Sequence, residues 1–337
     1  MQNYNVGGVV RSFAHGMEKT VLHGTDPTGE LSVTPLKKGL YAVLAFTALS
    51  CMYFAGKYDW NQNDGTIQAI VEYLTTSLDR HAPMSSFDRF TSLIGKKKVP
   101  CPTQDARTGV FLLIGQSNVA NHARQKHTSD FGEKILNYFD GACYIADSPL
   151  LGSTGNGGEP WTLFANKLVR AKDFDTVILV PAGLDGTCLS RWKKGGDAHA
   201  ILLVLISAAI RNYRITHILW HQGECDFVSG TDENKYKEMF ASMLSGIREK
   251  GVNAPIYVSV STKCVDQSAW NFDNPVARAQ KSLLNSAPGI LPGVDSDLIL
   301  GERDRYDGCH LSATGQEKIA DAWIDAIMLP GNISAIQ

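Results

Sequence analysis

The sequence predicts an α/β domain with a parallel sheet covered by helices on both faces beyond Gly109, and three observations point to it. Short apolar runs alternate with helical periods. Three of those runs end directly in polar, chemically able residues. The composition is globular, with 44% hydrophobic and 20% charged residues over 337 positions, which argues against disorder, a collagen-like repeat or a multi-span membrane protein. That length fits one large core with appendages.

Charge and cysteine content narrow the function classes. Lys+Arg 32 against Asp+Glu 34 gives a net charge of −2, so no basic excess offers the counterion-releasing footprint of a nucleic-acid binder. Cys51, Cys101, Cys143, Cys188, Cys225, Cys264 and Cys309 are scattered without any C-x-x-C pair, so no structural metal is expected. Setting Cys51 aside leaves six, which permits disulfides without requiring them.

In chain order, residues 1–38 read as a tail on the cytoplasmic side, or a docking segment for another protein. Residues 39–56 form a charge-free apolar run. As a helix it covers roughly 27 Å, close to the hydrocarbon thickness of a bilayer. Tyr41 lies near one end, and Tyr53, Phe54, Tyr58 and Trp60 lie near the other, as in an interfacial aromatic belt. The run starts too late for a cleaved signal peptide, and a buried helix of a soluble core is the alternative to an uncleaved anchor. Arg11, Lys19, Lys37 and Lys38 precede it while only Lys57 soon follows, so the positive-inside bias puts the rest of the chain on the non-cytoplasmic side. Residues 57–104 read as a helical and linker region, with a helix over 66–74 and the run Lys96-Lys97-Lys98 leading through Pro100 and Pro102 into the next domain.

From residue 105 to 331 the reading is a single domain. Residues 110–114, 176–180, 215–220 and 256–260 are candidate buried strands, and 297–300 is a weaker fifth. Residues 199–213, 233–250, 275–286 and 313–328 read as helices. In such sheets ligands gather at the carboxyl ends of the strands. The first strand ends in Gln116-Ser117-Asn118, the second in Asp185-Gly186-Thr187, and the third in Gln222-Gly223-Glu224-Cys225-Asp226. Asp307-Gly308-Cys309-His310 precedes the last helix and can reach the same rim.

A serine attacks an ester only if a base removes its proton, and that base needs a partner that fixes its tautomer. Ser117 can supply the nucleophile and His310 the base. Asp307, three residues before His310, can meet the imidazole Nδ1–H. The Ser117 and Gly186 amides and the Gln222 side chain are candidate oxyanion donors. Taken singly, each has a bland reading: Ser117 a helix cap, His310 a surface histidine, Asp307 a turn former, Glu224 a helix-start charge and Gly186 a turn. Their shared strand-terminal placement makes the functional reading the stronger one.

GQSN at 115–118, DGTCLSRW at 185–192, LWHQGECD at 219–226 and DGCH at 307–310 resemble the sequence blocks of the SGNH hydrolase superfamily. The branch they are most similar to is that of sialate O-acetylesterase-like proteins and family 6 carbohydrate esterases, which includes acetylxylan esterases. Gly157-Gly158-Glu159-Pro160 with Phe164-Ala165 is similar to a further segment of that branch. The resemblance covers about residues 105–330. It implies a flavodoxin-like three-layer α/β/α fold and metal-free hydrolysis of O-acetyl esters on sugars, without a cofactor. It places Ser117 on the nucleophile, His310 on the base, Asp307 on the triad acid and Gly186 on the oxyanion glycine. Gln222 falls on an oxyanion or positioning residue, Asn118 lies in the nucleophile block, and Glu224 is an alternative triad acid. Two positions depart from the branch pattern: Asp185 stands where a glycine is common, and Cys225 where serine is usual. A Cys188–Cys225 disulfide is conceivable if the strands before them are neighbours.

The expected function is a membrane-anchored, non-cytoplasmic serine esterase acting on an acetylated polysaccharide or glycan through an acetyl-serine intermediate. Trp161 and Trp192 could stack on sugar faces or lie in the core. The competing readings are acetyl transfer to a sugar hydroxyl by the same triad, and a non-catalytic SGNH-like subunit docked into a membrane complex through residues 1–100.

Overall fold

The computed structural model describes residues 87–264, 270–284 and 286–329. The expected tail, the apolar run 39–56 and the helix over 66–74 lie outside the described residues. Among those described, no helix is long and apolar enough to cross a membrane.

The strands are β1 (Lys98–Val99), β2 (Thr108–Gly115), β3 (Ile135–Phe139), β4 (Ala142–Ile145), β5 (Thr176–Gly183), β6 (His217–His221), β7 (Ile256–Val260) and β8 (Ile290–Asp295). They form one sheet in the order β1-β4-β3-β5-β2-β6-β7-β8. From β3 to β8 every neighbouring pair is parallel, whereas β4 runs antiparallel to β3 and β1 to β4. The sheet is therefore mixed, a correction to the parallel sheet expected. The two-residue link between β3 and β4 is too short for a parallel crossover and permits only a hairpin.

β2 is central and buried along its whole length, with Phe111 opposite Leu179 of β5 and opposite His217 of β6. Its alternate residues feed two cores. Val110, Leu112 and Ile114 join the side chains of α2 (Asp197–Ala209), α4 (Glu233–Glu249) and α5 (Pro275–Leu283). Phe111 and Leu113 join α1 (Trp161–Ala171) and α7 (Ala313–Met328). Each buried aliphatic or Phe side chain contributes about 1.5–3 kcal/mol, so this strand helps fasten the two layers of helices together, as β5 does with Val177 and Leu179 on one face and Ile178 and Val180 on the other. Short helices α3 (Glu224–Val228) and α6 (Ser296–Ile299) complete the set.

The expected fifth strand over 297–300 is wrong: Ser296–Ile299 is a helical turn capped by the Asp295 side chain, which accepts from the Leu298 amide, and the strand precedes it at Ile290–Asp295. Pro292 and Gly293 had masked that strand. The helix beginning at Trp161 had no cap at the usual position; instead, Glu159 two residues upstream accepts from the Trp161 and Thr162 amides at 2.6 and 2.8 Å. The GGEP segment is thus architectural. A Cβ at Gly158 would lie 1.7 Å from the Gln125 carbonyl oxygen. The basic run before the domain is tied to the sheet edge, with Lys98 in β1 and Lys96 Nζ donating to the Pro149 carbonyl at 2.8 Å.

Six cysteines form three disulfides: Cys101–Cys143, Cys188–Cys225 and Cys264–Cys309. The first holds the segment after β1 to β4. The other two flank the carboxyl ends of the central strands.

Candidate active site

The chain crosses from one side of β2 to the other between β5 and β6, which opens a crevice at the carboxyl ends of these three strands. A cavity of about 330 Å³ occupies this rim, and its lining includes Gln116, Ser117, Asp185, Gly186, Asp307 and His310. Residues nearly 200 positions apart therefore meet at one opening.

Ser117 reaches the rim because β2 ends abruptly. Gly115 has φ +152°, and a Cβ there would lie 2.0 Å from the His221 carbonyl oxygen. That close approach of β2 and β6 requires glycine. Beyond it Gln116–Ala120 forms a hydrogen-bonded turn, with the Val119 and Ala120 amides donating to Gln116 O. The turn does not continue into a helix, so Ser117 is not a helix cap. Among the described residues the backbone amides of Ser117 and Gly186 have no hydrogen-bond partner. Gly186 sits at φ +62° and its α-carbon faces open space. Two free N–H groups at one rim can receive a developing oxyanion.

His310 precedes α7, whose Ser312 caps the helix by accepting from the Gly315 amide. Asp307 Oδ2 is 2.7 Å from His310 Nδ1, and Asp307 Oδ1 accepts from the Cys309 and His310 amides at 2.9 and 2.7 Å. Burial raises the Asp307 pKa, but these hydrogen bonds together outweigh it and hold the carboxyl below its ordinary range. The carboxylate thus fixes Nδ1 as a donor and leaves Nε2 to accept a proton. The Cys264–Cys309 disulfide anchors this turn to the segment after β7.

Glu224 also lines the pocket but faces a different partner. Its Oε1 accepts from Asn118 Nδ2 at 2.9 Å, and burial pushes its pKa up while the Asn118 bond opposes. Asn118 is buried and donates also to the Cys309 carbonyl at 3.4 Å, linking the Ser117 turn to the His310 turn. Gln222 does not come to the cavity. It is fully buried, and its Nε2 donates to Asp226 Oδ2 at 2.6 Å and Thr187 O at 3.1 Å. Its amide steadies the segment after β5, and Asp226 extends this by accepting from the Leu189 amide at 2.7 Å.

Trp161 and Trp192 are buried, which removes them as sugar platforms. Trp161 Nε1 donates to the Val119 carbonyl and Trp192 Nε1 to Thr187 Oγ1, so each braces a loop behind the rim. Sequence reasoning missed His122, five residues past Ser117, whose ring stacks on His310 with centroids 5.5 Å apart. A lone histidine after a motif carries no local signal; only the fold brings it a partner. Asp185, marked as a departure, is exposed at the rim, with its amide donating to Thr154 Oγ1.

Residues 107–328 match the model of a family described as carbohydrate esterase, sialic acid-specific acetylesterase. Among solved structures, a protein from Arabidopsis thaliana is similar at 18% identity with a TM-score of 0.53, over 68% of this chain and 99% of its own. That likeness shows the fold. An acetyl xylan esterase variant from Geobacillus stearothermophilus is 14% identical over 67% of this chain and 96% of its own, with a TM-score of 0.42. Esterase EstA from Pseudoalteromonas sp. is 17% identical over 50% and 84%, with a TM-score of 0.37. No curated protein sequence matches.

Proposed function

The chain belongs to the sialic acid-specific acetylesterase family of carbohydrate esterases, and from that premise we propose that it is a membrane-anchored serine esterase removing O-acetyl groups from a polysaccharide or glycan. Ser117 Oγ attacks the acetyl carbonyl as its proton passes to His310 Nε2, and Asp307 holds the imidazolium through Nδ1. The Ser117 and Gly186 amides receive the oxyanion. Collapse expels the sugar oxygen, which takes the proton from His310, and leaves acetyl-serine. Water, deprotonated by His310, then releases acetate and restores Ser117. Asn118 and Gln222 position this machinery from behind the rim, and Glu224 holds Asn118 from the pocket wall.

The observation that carries the reading is the shared cavity of Ser117, Asp307 and His310, with the 2.7 Å imidazole–carboxylate contact in place. The test is acetate release from p-nitrophenyl acetate and from acetylated xylan by the full chain and by Ser117→Ala. The parent releases acetate and the variant loses at least about 10³-fold in rate. Equal rates remove Ser117 as nucleophile, and acetyl appearing on an added sugar in place of free acetate assigns the second step to transfer.

The anchor is residues 39–56, with the catalytic domain on the non-cytoplasmic side. Three disulfides support that side, because bridged cysteines persist in oxidising compartments. Alkaline carbonate leaves a spanning protein in the membrane pellet; release without detergent counts against the anchor.

A further inference from the structure

His122, Asp185 and His310 each offer one ligating atom, and these three atoms lie within 4.8 Å of one another. A triangle with sides no longer than 4.8 Å has a point within about 2.8 Å of all three corners, while zinc sits about 2.0–2.2 Å from imidazole nitrogen and carboxylate oxygen. Each donor needs to move by less than about 1 Å to reach that distance.

The segments bearing these donors are already tied together. Thr154 Oγ1 accepts from the Asp185 amide at 2.8 Å and lies 3.4 Å from His122 Nε2. Tyr306 Oη donates to the His122 carbonyl at 3.1 Å, and the Arg124 amide donates to Leu311 O at 2.9 Å, joining the His122 strip to the His310 turn. Behind His310, Asp307 accepts from Nδ1 at 2.7 Å. A carboxylate on the far nitrogen is the outer-shell partner that orients a metal-bound histidine.

We propose that His122, Asp185 and His310 form a site for one divalent transition-metal ion of the zinc class. Two imidazoles and one carboxylate, with a fourth position open to the cavity, are the donor set of open zinc sites, and the imidazoles disfavour magnesium and calcium. Because Asp307 occupies Nδ1, the ion takes Nε2 of His310, the nitrogen that accepts the Ser117 proton. Bound metal therefore blocks deacetylation, and chelation restores it. This consequence rests on the esterase reading, whereas the site itself does not.

The test titrates the full-length, metal-free protein with Zn²⁺ by calorimetry and with Co²⁺ by visible absorption, beside His122→Ala, Asp185→Asn and Asp307→Asn. Thermal melts establish that each variant is folded; Asp185→Asn keeps the side-chain shape should His122→Ala fail. One ion binds per chain; His122→Ala and Asp185→Asn each weaken binding at least about tenfold, and Asp307→Asn weakens it by about 10–100-fold. In parallel, Zn²⁺ inhibits p-nitrophenyl acetate hydrolysis over its binding range and EDTA reverses the inhibition. No stoichiometric binding, or unchanged affinity in both His122→Ala and Asp185→Asn, overturns the proposal. Metal binding that the variants abolish, in a parent without esterase activity, supports the site and defeats the esterase reading alone.

Discussion

Replacing Asp307 by Asn tests the site without removing its shape. In the parent, Oδ1 accepts from the Cys309 and His310 amides while Oδ2 faces His310 Nδ1 at 2.7 Å. An asparagine keeps its oxygen on the two amides, because they are donors, and so turns its NH₂ toward Nδ1. Two donors cannot face each other, and the ring proton moves to Nε2. His310 then cannot accept the Ser117 proton. The corresponding tautomer error in a buried triad costs about 10⁴ in kcat. Here the Asp307 side chain is 38% exposed, so solvent screens part of its hold on the imidazolium, and the expected loss is about 10³-fold in kcat/KM, or about 4 kcal/mol. Stopped-time hydrolysis of p-nitrophenyl acetate measures it. Glu224→Gln is the contrast: a glutamine oxygen still accepts from Asn118, so the expected loss is below about tenfold. A Glu224→Gln collapse with an active Asp307→Asn would refute the assignment of Asp307 and the geometry behind it.

Two further outcomes follow from burial. His217 and His221 are held neutral, their pKa values pushed down to about 3 by burial first and then by Arg214 and Arg305 respectively. The unfolded chain binds these protons near the ordinary histidine value of about 6.5 while the fold refuses them, so stability is full above that pH and falls as pH drops toward 3. The expected slope is about 1.4 kcal/mol per pH unit for each histidine, read by urea unfolding at several pH values. His217→Phe, which preserves the stacking against Phe111, should remove that histidine's share, about 1.4 kcal/mol per pH unit. Trp192→Ala should lower stability by about 3–5 kcal/mol, because the ring is buried with its edge on Trp220. A fully stable variant with only a raised KM for glycan would instead return Trp192 to the sugar-binding role.

The sequence alone makes α4, α5 and α7 legible within a few residues, since amphipathic periods with Asp232, Asn274 and Ser312 as caps are local signals, and it marks α2 as an apolar run too long for a strand. It also determined the buried strands β2, β5, β6 and β7 and the polar residues at their carboxyl ends, because apolar runs bounded by glycine and polar residues need no distant partner to be legible. The family followed from those strand-terminal blocks. The hairpin β3–β4 was not legible: Asn137 interrupts its apolar run, and only the fold supplies the Leu151 partners that satisfy it. Nor could sequence choose between Asp307 and Glu224, since both fall beside the motif. Tertiary structure decided which carboxylate meets the imidazole and which meets an amide, drew Gln222 away from the cavity, and closed all three disulfides. It also brought His122 and Asp185 beside His310. The physical reason is the same in each case: secondary structure answers to neighbours a few residues away, whereas a proton acceptor or a ligand is defined by what crosses the sheet to meet it.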